Sequence, residues 1–178
     1  MTSLSSAKQS SAKLSPTKAV YTGSFDPITL GHLNIIERSA LLYDQLVIGI
    51  GVNTEKSPLF TVEERIHLIQ KVVRRWGHVE VLSFDGLAVD FVRKLGARVM
   101  VRGVRPLTDI AGEFTMMMAN RQLDPEIETV FLMSDEEYSH VSSSLIKQIA
   151  AVGHGRALER FVPMEIIGPL LDRVRAPT

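Results

Sequence analysis

Four short segments hold the residues whose types and spacing could do chemistry: GSFDPITLGH at 23–32, NTEKSPLF at 53–60, RGVRPLTD at 102–109 and DEEYSHVSSS at 135–144. Gly23 lets a backbone come close to a ligand, and Ser24 supplies a hydroxyl donor. Gly31 and His32 stand where a helix should open, with free N–H groups and a dipole that favour an anion. Lys56, Arg102 and Arg105 add fixed positive charge, and Ser142, Ser143 and Ser144 stand at another helix start. Together these groups have the chemistry of a polyphosphate site. A nucleophile needing activation is not among them: the chain has no cysteine, and no Ser, His and Asp fall in a supporting context.

The elements that must position them follow from periodicity. KAVYT, QLVIGIGV, VEVLSF, ARVMVRG and ETVFLMS are short, largely apolar runs, as expected for strands buried on both faces. Between them, Leu33, Ile36, Ala40 and Tyr43 fall at helical spacing, as do Val62, Ile66, Ile69 and Val73, and Ala88, Phe91, Val92 and Leu95. Thr61 and Glu64 form a capping-box pattern before the second stripe, and Gly96 marks the end of the third. Strands alternating with helices over short connections predict a Rossmann-like, doubly wound α/β sheet of five parallel strands with helices on both faces. The segments SSSLIKQIAAV, 155–162 and PMEIIGPLLDRV predict a helical C-terminus. All four chemical segments then follow strand C-terminal ends, the edge where open α/β sheets bind ligands.

Bulk composition narrows the function classes. The 178 residues, 45% hydrophobic and 22% charged, suit one globular domain, expected over 18–178, with 1–17 as a flexible arm that repeats SSAK. Twenty basic residues against twenty acidic ones argue against holding nucleic acid by bulk charge. No apolar run approaches the roughly 18 residues a membrane helix needs, so a soluble cytoplasmic protein without membrane contact is expected. His67, His78, His140 and His154 show no metal-ligand spacing, and no protein-held metal is expected. GIG at 49–51 has no third glycine and no following helix, so it is strand packing rather than a dinucleotide fingerprint. Met116, Met117 and Met118 suit adaptable packing at a helix contact or subunit interface.

Each chemical residue also has an ordinary role open to it. His32 can be a cap, Lys56 a solvated loop residue, and the serine triplet a helix cap; Arg102 and Arg105 can pair with Asp109 and Glu113. Their joint placement on one sheet edge favours the site.

GSFDPITLGH resembles the strand-one signature of the HxGH nucleotidyltransferase superfamily, with Thr29 in place of the first His, and SSSLIK resembles its second phosphate-binding motif. With NTEKSPLFTVEER, RGVR and FLMSDEEYSHVSSSLIKQI in order, the chain is similar to the phosphopantetheine adenylyltransferases in particular, over about residues 19–175. The resemblance implies in-line transfer of AMP from ATP to 4'-phosphopantetheine, giving dephospho-coenzyme A and pyrophosphate, with Mg²⁺ bridging ATP oxygens. It implies catalytic roles for His32, Lys56 and Arg102, with Ser24, Lys56 and Arg102 on the acceptor phosphate and Leu87 and Ala88 along the pantetheine arm. It places ATP against Ser24, Phe25, His32, Gly103, Val104, Arg105, Glu113, Tyr138, Ser139, His140, Val141, Ser142, Ser143 and Ser144. A homohexamer and feedback inhibition by coenzyme A are further expectations of the family. The chain departs from it at Ala111 and Gly112, where relatives have an aromatic-acidic run, and at Ala88, where they have aliphatic residues or Met.

Overall fold

The five apolar runs form β1 (Lys18–Gly23), β2 (Gln45–Gly51), β3 (Val79–Phe84), β4 (Val99–Val104) and β5 (Glu128–Met133) in a computed structural model that describes residues 17–52, 58–105, 110–153 and 155–175. All pairings are parallel, in the order β3-β2-β1-β4-β5. This is the predicted doubly wound sheet, with strand order reversing between β1 and β4.

That central pair is the least zipped. β2 matches β1 through six positions and β5 matches β4 through six, but β1 and β4 pair only from Ala19 and Val99 to Tyr21 and Val101. Beyond Tyr21 the two strands part, which opens a crevice at their C-terminal ends.

Alternation along the strands builds the core on both faces. Ala19, Tyr21, Leu46, Ile48 and Ile50 point to one side, where they meet helices α1 (Leu30–Leu42), α2 (Val62–Val73), α5 (Ser143–Val152) and α7 (Met164–Arg175). Val20, Val47 and Met100 point to the other, against Val89, Phe91 and Val92 of α3 (Ala88–Lys94). α4 (Ile110–Leu123) lies beside α3.

Helix ends follow their local chemistry. The Thr61–Glu64 capping box is formed, with Thr61 N donating to Glu64 Oε2 and Glu64 N to Thr61 Oγ1. Gly96, past the end of α3, has φ +67, the left-handed region where glycine carries no Cβ penalty. Residues 155–162, expected to be helical throughout, form only the single turn α6 (Gly155–Leu158) before Pro163 and α7. α4 has no inward apolar stripe: Asn120 is its one residue described as buried, while Ile110, Phe114, Met116, Met118 and Leu123 are exposed. Met116 and Met118 are about half exposed on α4, and Met117 is partly buried.

Candidate active site

A cleft of about 320 Å³ lies where β1 and β4 part. Of the residues expected to form a site, it is lined by Ser24, Phe25, His32, Arg102, Gly103, Val104, Arg105, Glu113, Tyr138, Val141, Ser142, Ser143 and Ser144. Lys56 and Asp109 lie outside the described residues. Leu87 and Ala88 sit at the start of α3, off this lining, with Leu87 half exposed. Ser139 and His140 are also off it, and the His140 ring meets Phe161 edge-on at 5.9 Å.

The loop after β1 carries most of the geometry. Asp26 is buried, and its carboxylate accepts from Leu59 N at 2.8 Å, Phe60 N at 2.9 Å and Lys147 Nζ at 2.7 Å. Burial pushes its carboxyl up, but the Lys147 ammonium and the two amides outweigh this and hold it below the usual carboxylate range. The loop is pinned at either side as well. Ser24 O accepts from the buried Arg65 at 2.8 Å, and Pro27 O accepts from Ser143 Oγ at 2.9 Å.

Phe25 has φ +47, a conformation a bulky residue adopts only when its surroundings insist on it. Its ring is 1% exposed and meets Tyr21 at 5.2 Å and His32 at 5.1 Å, both edge-on. A Cβ on Gly23 would stand 2.9 Å from that ring. Gly23 lines the cleft, and the side of its Cα on which a Cβ would stand is filled by Phe25. With its ring enclosed, Phe25 offers the cleft mainly its backbone.

His32 is the third residue of α1. Thr29, its N-cap, accepts from His32 N at 3.2 Å and donates its own backbone N–H to His32 Nδ1 at 3.1 Å. A backbone amide can only donate, so Nδ1 carries the lone pair and the neutral ring has its proton on Nε2. Burial first, then the charges of Arg105 and Arg102, push its pKa down from 6.5 to about 4. At neutral pH this ring is a hydrogen-bond donor without net charge. The cap role that the sequence left open to it is filled, and the same residue lines the cleft.

Arg102 is held at both ends of its fork. Nε and Nη2 donate to Glu113 Oε2 and Oε1 at 2.7 and 2.6 Å, and Nη1 donates to Thr22 O at 2.6 Å, where β1 leaves β4. The ion pair foreseen with Glu113 is thus formed. An anion approaching Arg102 meets a guanidinium already engaged by that carboxylate. Ser142 caps α5 by accepting from Leu145 N at 3.1 Å, which leaves its hydroxyl proton available.

The cleft also contains Tyr21, Thr22, Thr29, Ile35 and Ser134, which were not foreseen as site residues. Thr29 carried a detectable signal, a hydroxyl three residues before His32 at a helix start. Ser134 directly follows β5, the usual position for a site residue in such a sheet, but nothing in its own type distinguishes it.

The parallel sheet has hydrogen-bond donors around a crevice at its switch point, and the family model described as cytidylyltransferase-like, matching residues 20–149, makes the chain a nucleotidyltransferase-like protein. A phosphopantetheine adenylyltransferase of Rhodopirellula baltica is 61% identical over 176 residues, 98% of each chain. Another from Lachnoclostridium phytofermentans is 49% identical, covering 86% of this chain and 93% of its own. The chain belongs to the phosphopantetheine adenylyltransferase family. Among solved structures, the nicotinic acid mononucleotide adenylyltransferase of Plasmodium falciparum complexed with NaAD superposes with a TM-score of 0.67 at 11% identity, covering 90% of this chain and 95% of its own. A putative nicotinate-nucleotide adenylyltransferase from Vibrio parahaemolyticus gives 0.65 at 15% identity, covering 92% and 98%. At such identities these two speak for the fold alone.

Two expectations follow from the geometry. Lys147→Met leaves the buried Asp26 carboxylate without its cation and should lower stability by about 1–3 kcal/mol; an unchanged urea midpoint at pH 7 would show the pair to be idle. Folding keeps His32 neutral where an unfolded chain would protonate it, so stability is whole above pH 6.5 and declines as pH falls towards about 4. His32→Gln should flatten that decline in thermal melts recorded across the window, and superposable pH profiles would contradict it.

Proposed function

We propose that the protein transfers AMP from ATP to 4'-phosphopantetheine, releasing pyrophosphate and forming dephospho-coenzyme A, the penultimate step of coenzyme A synthesis. The observation that carries this reading is 61% identity, over 98% of both chains, to a protein named for that activity.

The geometry supports a direct displacement. An acceptor phosphate oxygen attacks the α-phosphorus of ATP, the new P–O bond forms as the bond to the β-phosphate bridging oxygen breaks, and pyrophosphate leaves with that electron pair. No covalent enzyme intermediate is needed, so positioning and charge stabilisation are the protein's tasks. His32 Nε2–H, with its tautomer set by the Thr29 amide, donates to an α-phosphate oxygen as charge gathers there. Arg102 and Lys56 hold the acceptor phosphate with Ser24, offsetting the repulsion between two phosphate groups. Because Arg102 is engaged by Glu113, the acceptor phosphate shares or displaces that carboxylate on arrival. Arg105, Glu113, the backbone of Phe25, Gly103 and Val104, and the segment Tyr138, Ser139, His140, Val141, Ser142, Ser143 and Ser144 form the ATP side. Leu87 and Ala88 lie along the pantetheine arm.

Mg²⁺ bound with ATP would supply charge neutralisation on its phosphates. The donor set suits an ion carried by the nucleotide: the cleft offers hydroxyls, an imidazole and arginines, and its carboxylate Glu113 is paired with Arg102. Among the described residues no group of three or more His, Cys, Asp or Glu could hold a metal.

The exposed Ile110, Phe114, Met116, Met118 and Leu123 of α4 support assembly with further copies, which we take to be a homohexamer. Feedback inhibition by coenzyme A and a cytoplasmic setting belong to the same reading. The balanced charge supports function without nucleic acid, and no described helix is long and apolar enough to cross a membrane.

Pyrophosphate release from ATP and Mg²⁺ should occur with 4'-phosphopantetheine and not with nicotinamide mononucleotide or without acceptor. His32→Ala should lower kcat by about 100- to 1000-fold, the effect of losing one transition-state donor. Release with the mononucleotide alone, or silence with every acceptor from folded protein, would overturn the assignment. In sedimentation velocity the protein should run as a six-chain species; a monomer at micromolar concentration would refute the assembly.

A further inference from the structure

Arg65 is the one charged residue of α2 described as buried, 4% exposed, and its guanidinium meets backbone carbonyls. Nη1 donates to Ser24 O at 2.8 Å, and Nε donates to Thr61 O at 3.3 Å. Among the described residues no Asp or Glu pairs with it. A cation held out of water without an opposite charge is unfavourable and calls for a reason.

Ser24 O belongs to the peptide that joins Ser24 to Phe25. That peptide is planar and trans, so its C=O and N–H point in opposite directions. With Ser24 O turned towards Arg65, the Phe25 N–H is turned away from it. This N–H has no acceptor among the described residues. Ser24 and Phe25 line the cleft, and Arg65 does not.

The same peptide is held against a torsional preference. Phe25 has φ +47, in the left-handed region that a bulky residue avoids. Turning the peptide over changes chiefly ψ of Ser24 and φ of Phe25, with little movement of either side chain, and would return φ of Phe25 to a negative value. Relief of strain therefore opposes the orientation present in the fold. The hydrogen bond from Arg65 favours it.

We infer that Arg65 is a positioning residue: it holds the Ser24–Phe25 peptide so that the Phe25 N–H faces the phosphates of ATP. This rests on the adenylyl-transfer reading, in which the backbone of Phe25 forms part of the ATP side. Without Arg65 the peptide turns over, and a carbonyl oxygen replaces a donor beside the phosphate chain. The anion then meets the negative end of a peptide dipole where it had met an N–H.

The test titrates wild type, Arg65→Met, Arg65→Gln and Arg65→Lys calorimetrically with inorganic triphosphate, well below their melting temperatures. Met fills the volume without a donor, and Gln keeps polarity but is too short to reach Ser24 O; if one of them fails to fold, the other carries the comparison. Each should bind triphosphate about ten- to a hundredfold more weakly than wild type, the effect of losing one hydrogen bond to an anion. Their KM for ATP should rise in step. Lys keeps a donor on a long side chain and should recover most of the loss. A crystal structure of a weakened variant should show Ser24 O turned over and φ of Phe25 negative. Triphosphate affinity within about twofold of wild type in a folded Met or Gln variant would overturn the inference, as would a weakened variant whose Ser24–Phe25 peptide keeps its orientation. Wild type without affinity for triphosphate would overturn it too. Calorimetry needs no acceptor, so wild type that binds triphosphate without turning over 4'-phosphopantetheine would refute the proposed reaction separately from the role of Arg65.

Discussion

The cleft depends on one buried carboxylate. Asp26 gathers two backbone amides from the segment leading into α2 and the ammonium of Lys147 on α5, and so joins three stretches that are far apart in sequence. A charge taken out of water is tolerable only when hydrogen bonds and an opposite charge replace the hydration it gave up, and Asp26 has both. Because it lies between Phe25 and Pro27, whatever fixes it also fixes the backbone that presents Ser24 to the crevice. The same anchor ties α5 to that loop, as does Ser143 Oγ donating to Pro27 O.

Electrostatically the cleft separates its tasks. Permanent positive charge comes from arginines, while the imidazole lining the cleft stays neutral through burial and through those same arginines. A neutral donor stabilises charge that appears during the reaction without binding a fully charged ground state more tightly than the transition state requires. The direction of its hydrogen bond is set by the Thr29 amide, a backbone group that cannot change protonation. Thr29 therefore fixes the tautomer and orientation of the His32 ring.

Much of this was legible in the sequence, and the limits have physical causes. Short apolar runs and capping patterns sufficed for the doubly wound sheet, because strands buried on both faces and helices with an inward stripe leave period-specific traces. The convergence of Ser24, His32, Arg102, Arg105 and the serine triplet followed from their positions after strand ends. α4 left no such trace, since its apolar residues face outward. The grip of Glu113 on Arg102 depends on how α4 lies against the sheet, which spacing does not reveal. Ser134 escaped notice because its hydroxyl, buried and without a partner among the described residues, is recognisable only in the folded surroundings.

The order of Gly23, Ser24 and Phe25 is directional. Glycine at position 25 would relax the positive φ but leave a hole between Tyr21 and His32, whereas any side chain at position 23 would collide with the ring that fills it. The two positions are thus locked into a joint choice, each tolerable only because of the other. A side chain at position 23 therefore becomes tolerable only with a smaller residue at position 25, which gives up the ring between Tyr21 and His32.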